Sequence, residues 1–383
     1  MSHHRKIIYL IGFIFSLSIA LMSYINSSFI SSFLNEKFIG TIYALGSIFS
    51  ILALLIVNKV FKKIGGYRFL LGATILNALS ILLLAFADNV WKAGLFFVLT
   101  FTFNILIFFA LDELLKILSK DSNMGKIRGS YLALSNLAWI LAQLILGTFL
   151  GGFSFKIIYL TSFVVMLIAF VISYFYLRNT VEPKYDDVNT SKYIKEFLKN
   201  KNLFRAYVLS LLLQFFYSWM VIYTPIYLSI HLGFSWKEIG IIFAIMLLPF
   251  VIIPLPLGKH ADKIGERKML MWGFGIVSFA TFSLFFIQAH LIWIWAIALF
   301  STRIGAATIE IMTDVYFLKH IKIENEEYLR VYRTAPPVAY IIGPLFAFFV
   351  FLFIPSFNFI YLILSAIMLG GIYLSSTIKK SDI

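Results

Sequence analysis

Three ionisable residues lie inside one long apolar segment of this sequence, where charge is costly to bury. Arg303, Glu310 and Asp314 follow one another at intervals of seven and four residues. At 100° per residue, an α-helix places them within about 40° of one another, in a single stripe. Counted from Ile292 at 1.5 Å per residue, Arg303 lies roughly 16 Å along the helix. A guanidinium group at that depth can bind an anion, and a carboxyl group can carry a proton.

The stripe has two interpretations. A charged side chain at the centre of a membrane helix costs about 2.5–3.5 kcal/mol and normally faces an interior cavity with a partner. In the functional interpretation, Arg303 binds an anionic group or adjusts the proton affinity of Glu310, and Glu310 carries the proton. In the structural interpretation, the charges hold this helix against its neighbours. Asp314 lies nearest the end of the segment and fits either role.

Neutral polar residues in other apolar segments are further candidates for binding a solute. Asn104 lies in the fourth segment, and Gln214 and Tyr217 lie in the seventh. An amide group in hydrocarbon needs a hydrogen-bond partner, so Asn104 and Gln214 are the stronger candidates. A tyrosine within a membrane helix more often serves packing or the interface. These three residues are therefore candidates for binding a solute, in addition to the charged stripe.

The composition indicates an all-α membrane protein. Apolar residues make up 61% of the chain and charged residues 13%, against roughly 45–50% and 25% in soluble proteins. A helix needs about 20 apolar residues to cross the bilayer core, and the sequence predicts twelve such transmembrane helices. They start near Ile8, Ile39, Phe69, Ala93, Tyr131, Ile157, Ala206, Ile239, Leu270, Ile292, Thr334 and Phe359.

A polar motif between two apolar segments resembles a family signature. Residues 258–268 read GKHADKIGERK, and a weaker copy, NKVFKKIGGYR, occupies residues 58–68. The stronger run resembles the cytoplasmic loop signature of the major facilitator superfamily of membrane transporters. The copy at an offset of 200 residues indicates two homologous halves. The resemblance implies two pseudo-symmetric six-helix bundles, which we expect at residues 1–178 and 206–383. Residues 179–205 are predicted as a cytoplasmic linker, either with an amphipathic helix or as a flexible basic tether.

The repeat also contains paired acids and bases at the predicted inner ends of helices. Asp112 and Arg128 in the first half match Asp314 and Arg330 in the second, at an offset of 202 residues. The resemblance implies that such residues, with the signature loop, form a conformational gate at the cytoplasmic side. The first half carries Lys62 where the second has Asp262, so its part of the gate must differ. The predicted gate residues are Asp112, Arg128, Gly258, Asp262, Lys263, Gly265, Arg267 and Arg330.

The positive charge of the chain is distributed in a way that predicts its orientation. The net charge is +14, and all but five of the 32 Lys and Arg residues fall in segments that are cytoplasmic if the chain starts inside. The positive-inside rule then places both termini in the cytoplasm. A nucleic-acid-binding protein would concentrate these cations on one folded face, so we predict no nucleic-acid partner. We expect a monomer in the cytoplasmic (inner) membrane.

Several other classes of chemistry find no support in the sequence. The chain has no Cys, and its histidines at positions 260, 290 and 320 lack metal-ligand spacing. A phosphate-binding glycine loop followed by Lys and Ser or Thr is also missing, which argues against an ATP-driven pump. We therefore predict no metal site, no cofactor and no enzymatic activity. A membrane-embedded transferase would need an acidic cluster at one mouth, for which Asp112 and Glu113 are weak support.

The sequence therefore predicts a secondary active transporter. We expect it to move a small organic solute by alternating access, with a proton, or else sodium, as the coupling ion. The alternative is a sensor or assembly protein that uses the same fold without transport. The charged stripe favours transport because a scaffold has little need for charge in the middle of the membrane. The sequence does not identify the solute or the direction of transport.

Overall fold

Every regular element in the described part of the chain is a helix. The computed structural model describes residues 3–117, 124–150, 152–178, 190–254, 257, 264–321 and 326–378. Helices are expected here because a backbone that crosses a bilayer must satisfy its hydrogen bonds within its own segment. The chain divides into two compact units. The first contains Met1–Asp186 and Ser235–Ala244, and the second contains Asp187–Phe234 and Ile245–Ile383.

The first half of the chain forms long apolar helices joined by short connections. A short 3₁₀ turn, Glu36–Phe38, precedes the third of them, and a π-helical turn, Leu146–Leu150, ends the sixth. The helices are α1 (His3–Ser23), α2 (Asn26–Ser31), α3 (Ile39–Ile64), α4 (Gly66–Ala85), α5 (Val90–Ile117), α6 (Met124–Ile145) and α7 (Phe155–Tyr176).

The second half starts with a short amphipathic helix and continues with membrane helices. A π-helical turn, Tyr227–His231, extends the second helix of this group. The helices are α8 (Thr190–Lys199), α9 (Lys201–Ile226), α10 (Trp236–Leu247), α11 (Pro249–Ile252), α12 (Glu266–Leu284), α13 (Ile292–Lys319), α14 (Glu326–Tyr332), α15 (Ala335–Phe351) and α16 (Phe359–Ser376).

Nine helical stretches in the described residues are long and apolar enough to cross a membrane. Three of the twelve predicted spans are not among them. The span predicted near Ile239 is divided into α10 and α11 before Pro249, the one near Leu270 is α12, and the one near Thr334 is the 17-residue α15. The nine are Arg5–Ser31, Glu36–Val57, Gly66–Ala85, Val90–Leu115, Ser130–Phe149, Phe155–Tyr176, Lys201–His231, Ile292–Lys319 and Phe359–Ser376.

The two units repeat the same helix neighbours. In the first unit, α4 packs against α5 and α7, and α1 packs against α6. In the second, α12 packs against α13 and α16, and α9 packs against α15. Gly65 and Gly265, at matching positions of the two loop motifs, have φ angles of 84° and 83°. Only glycine adopts this conformation without steric cost, so the repeated turn explains the repeated residue.

Small residues allow the helices of each unit to approach closely. A Cβ added to Gly305 of α13 would lie 2.5 Å from the carbonyl oxygen of Gly273 on α12. In the first unit, a Cβ added to Gly240 of α10 would collide with the backbone of Gly147. Van der Waals packing of this kind replaces the hydrophobic effect as a driving force between helices in lipid. The glycines therefore determine how near neighbouring backbones lie.

The amphipathic helix α8 belongs to the second unit. Phe197 is fully buried, and its ring packs near the rings of Tyr207, Phe317 and Tyr328. On the same helix, Ile194 and Leu198 remain exposed. The predicted linker therefore contains a helix, α8, which packs on the second unit through Phe197. The contact of α8 with anionic lipid headgroups stays a prediction.

Candidate functional site

Arg303 is among the largest fully buried side chains of the described residues. It lies on α13, and only 2% of its surface is exposed. Its guanidinium carbon lies 5.3 Å from the centroid of the Phe216 ring and 5.5 Å from that of the Tyr217 ring, both on α9. Aromatic rings attract a cation over their faces, more strongly when it is shielded from water. The packing of α13 against α9 therefore places a cation in an aromatic environment inside the second unit.

The guanidinium group of Arg303 keeps unused hydrogen-bonding capacity. Within the described part of the chain, its Nη1 atom is buried and has no hydrogen-bond partner. Guanidinium carries five N–H donors and no acceptor, and a buried donor without a partner costs about 1–3 kcal/mol or more when charged. An acceptor supplied from outside the protein would remove this cost.

Glu310 and Tyr217 connect the same two helices. The hydroxyl group of Tyr217 on α9 donates a hydrogen bond of 2.9 Å to Oε2 of Glu310 on α13. The ring of Tyr217 is also one of the two that face Arg303. Arg303 and Glu310 are two helical turns apart, and Tyr217 contacts both of them. The structure thus brings together three of the six residues predicted for solute and proton binding.

Asp314, the third member of the stripe, has a different environment. Its side chain is exposed, and its Oδ1 accepts a 2.9 Å hydrogen bond from the hydroxyl of Tyr332 on α14. The ring of Tyr332 stacks on Phe317, with centroids 4.1 Å apart. Asp314 therefore binds the element that follows α13 instead of the Tyr217 hydroxyl. This contact fits a role at the end of the helix.

The two amide candidates belong to different units of the chain. Asn104, on α5 of the first unit, accepts a 2.8 Å hydrogen bond from Nδ2 of Asn77 on α4. Asn77 is fully buried, and its Nδ2 also donates to the backbone carbonyl of Thr100. Asn104 thus has a structural partner, which sequence reasoning missed. Gln214 is half-buried on α9, one helical turn before Ser218.

Only part of the predicted gate falls in the described residues. Asp112 is half-buried near the end of α5, and Arg267 is exposed at the start of α12. Gly265 forms the turn described above. The remaining predictions concern side chains or segments that lie outside the described part of the chain: Arg128, Gly258, Asp262, Lys263 and Arg330.

An ion pair next to the signature loop was missed by sequence reasoning. Glu266, at the start of α12, is 6% exposed and pairs with Lys319 at the end of α13. Glu266 directly follows the predicted gate residue Gly265, and Lys319 lies five residues beyond Asp314 on α13. The sequence signal that could have predicted this ion pair is an acidic residue at the start of one helix and a basic residue at the end of the next. No group of three or more metal-ligating side chains occurs among the described residues.

The chain is similar to known proteins in both sequence and structure. The family model described as Major Facilitator Superfamily matches residues 8–322. The POT family transporter PepTSo has a similar structure, with a TM-score of 0.80 and 11% sequence identity over 98% of this chain and 97% of that one. A D-xylose-proton symporter has a TM-score of 0.76 and 15% identity over 97% and 96%. No curated protein matches the sequence.

Proposed function

We propose, given that this chain belongs to the major facilitator superfamily of membrane transporters, that it moves a small organic solute by proton-coupled secondary transport. The fold class predicted from the sequence, an all-helical transporter of this superfamily, is confirmed by the family match and by the two similar structures. Beyond the fold and the family, we propose the class of solute, its coupling to protons and the residues that carry out both. The solute crosses the membrane without chemical change.

The contact between Tyr217 and Glu310 carries this proposal. A carboxyl group can exchange a proton with water at either side of the membrane, and Glu310 is half-buried with one oxygen bound to a hydroxyl donor. Arg303 is held beside the same tyrosine. Ionisable residues inside membrane segments usually mark ion or proton pathways. In the proposal, Glu310 is the proton carrier, and Arg303, Tyr217, Gln214 and Asn104 are candidates for contact with the solute.

Alternating access requires two conformations of the carrier with similar free energies. We propose that the residues around the signature loop bias this equilibrium, because ion pairs give directional contacts when a mouth is closed and are hydrated when it opens. The pair of Glu266 and Lys319 adds to the predicted gate residues. Asp314, through Tyr332, links the inner end of α13 to α14 and belongs to this proposed gate.

The orientation of the chain gives a first testable prediction. With both termini in the cytoplasm, reporter fusions after Asp88 and after Lys380 should lie in opposite compartments. Paired phosphatase and fluorescent-protein reporters in bacterial cells measure this directly. The same compartment for both fusions would contradict the proposed orientation and the even number of spans.

A solute screen tests the proposed function itself. Purified protein in lipid vesicles, with an imposed pH gradient, should accumulate at least one solute from a panel of labelled sugars, peptides, amines and organic acids. Empty vesicles and vesicles with the Glu310→Gln variant are the controls. Accumulation that collapses when a protonophore is added supports proton coupling. Accumulation by none of the compounds would favour the sensor or assembly role.

A further inference from the structure

We propose that the solute is an organic monocarboxylate whose carboxylate binds the guanidinium group of Arg303 through its unpartnered Nη1, and that one proton enters Glu310 with each anion. This inference rests on the proposed function and assigns a substrate class and a stoichiometry to the same site. It depends on the geometry of three side chains in the second unit. They are Arg303, Tyr217 and Glu310.

The surroundings of Arg303 favour an anion that binds at the edge of the guanidinium plane. Phe216 and Tyr217 both lie at cation–π distance from the guanidinium group. Aromatic rings satisfy part of the electrostatic demand of a cation but accept no conventional hydrogen bond from its N–H groups. Nη1 is left without a partner within the described residues. A carboxylate matches the fork of N–H donors at this edge and can accept two parallel hydrogen bonds.

The number of buried charges favours a solute with one negative charge. In the sequence, Arg303 is the one Lys or Arg residue that we place within the interior of a predicted membrane helix. One buried cation compensates one anion, whereas a dianion would leave a second charge uncompensated in a low-dielectric site. The two aromatic neighbours also suit an apolar body next to the carboxylate. The site should therefore bind a monocarboxylate more tightly than a dicarboxylate or a neutral analogue.

Charge balance then requires a proton to accompany the anion. Before binding, the two charged groups that contact Tyr217, the cation of Arg303 and the carboxylate of Glu310, sum to zero. An added carboxylate makes the site negative, and a proton from water on Glu310 restores neutrality without any other change in bonding. The protonated carboxyl group then becomes a hydrogen-bond donor, and Tyr217 is positioned to rotate its hydroxyl and accept. Anion and proton thus move together as an electroneutral symport.

Among the residues that the structure describes, the other titratable groups on the helices around Glu310 do not supply this neutralising charge. Tyr217 faces it from α9, Asp314 lies one turn away on α13, and Tyr332 lies on α14. None of these three is a cation. On α12, Glu266 is paired with Lys319 at the far end of α13, Arg267 and Lys268 are exposed at the helix start, and α11 contains no titratable residue.

Isothermal titration calorimetry on the purified protein tests the inference. The probes are benzoate, butyrate and lactate, each compared with its amide, and phthalate as a dianion. Titrations in two buffers with different ionisation enthalpies report the protons taken up on binding. We expect at least one monocarboxylate to bind with uptake of about one proton. Arg303→Gln should weaken its binding by about tenfold or more, because a charge-assisted pair of hydrogen bonds is lost.

Matched variants separate a role in binding from a role in folding. Arg178→Gln removes an exposed arginine, and Glu196→Gln an exposed glutamate, so both should bind as the wild type does. Glu310→Gln should still bind the anion but without proton uptake.

Arg303→Lys keeps the charge and loses the planar fork, so it should bind several-fold more weakly than the wild type. This variant decides the question if Arg303→Gln does not fold, as judged by thermal unfolding.

Three results would overturn the inference: no binding by any monocarboxylate, equal binding by the wild type and the Arg303 variants, or binding without proton uptake. The proposed function would survive these results if the vesicle screen found accumulation of a neutral or cationic solute that depends on Glu310. It would fail with the inference if no solute of any class showed such accumulation.

Discussion

Replacing Glu310 with Gln should abolish accumulation of solute against its gradient while leaving some exchange down that gradient. Glutamine keeps the shape of the side chain and still accepts a hydrogen bond from Tyr217, but it cannot take up or release a proton. The imposed pH gradient then has no means of driving the solute. Initial rates and final levels of uptake in vesicles, with and without the pH gradient, measure this effect. We expect the final level to fall to that set by simple equilibration.

Glu196→Gln is the matched control because Glu196 is exposed on α8, where its Oε2 accepts a 3.3 Å hydrogen bond from the Tyr328 hydroxyl that glutamine can also accept. It should accumulate solute as the wild type does. If Glu310→Gln still concentrates solute at the wild-type rate and with the wild-type pH profile, Glu310 is not the proton carrier.

Replacing Gly305 with Val should prevent α12 and α13 from packing. A Cβ at this position would lie 2.5 Å from the carbonyl oxygen of Gly273 and 2.8 Å from the backbone nitrogen of Val277. Overpacking against side chains typically costs about 1–3 kcal/mol, and backbone atoms yield less readily. Since α13 carries Arg303 and Glu310, separation of these helices would also displace the proposed site. We expect a clear loss of folded protein and a lower midpoint of thermal unfolding.

Gly275→Val on α12 is the control for the predicted destabilisation by Gly305→Val. The atom nearest to a Cβ at Gly275 is Cδ1 of Ile372, 3.9 Å away, which is an ordinary van der Waals contact. The Gly275 variant should unfold near the wild-type temperature. Equal unfolding temperatures for the Gly305 variant and the wild type would show that the close approach of α12 and α13 is not required.

Much of the helical architecture could be predicted because the bilayer imposes length and composition on every span. The predicted starts at Ile39, Ile292 and Phe359 coincide with the first residues of α3, α13 and α16. The span predicted near Ile239 was less accurate, since the helix is interrupted before Pro249. Proline lacks a backbone N–H group and tends to begin a new helix, and hydropathy alone does not register this effect.

The contacts of the site could not be predicted in the same way. The spacing of Arg303 and Glu310 follows from helix geometry, but Tyr217, which contacts both, is 93 residues from Glu310 in the chain. Which face of α9 meets α13 depends on the rotation of both helices about their axes, and this rotation is set by packing. For the same reason, the sequence did not predict that Asn104 pairs with Asn77 or that Glu266 pairs with Lys319. A stripe on one helix also does not reveal that Asp314 is exposed while Arg303 is buried.

The most direct test of the account reverses the direction of coupling. Vesicles containing the protein and a trapped pH-sensitive dye are prepared without a pH gradient, and the solute identified in the screen is added outside. If Glu310 couples the two flows, the solute gradient alone should move protons across the membrane. The luminal pH should then change in wild-type and Glu196→Gln vesicles and stay constant in Glu310→Gln vesicles. Solute entry without any proton movement in the wild type would contradict proton-coupled transport by this chain.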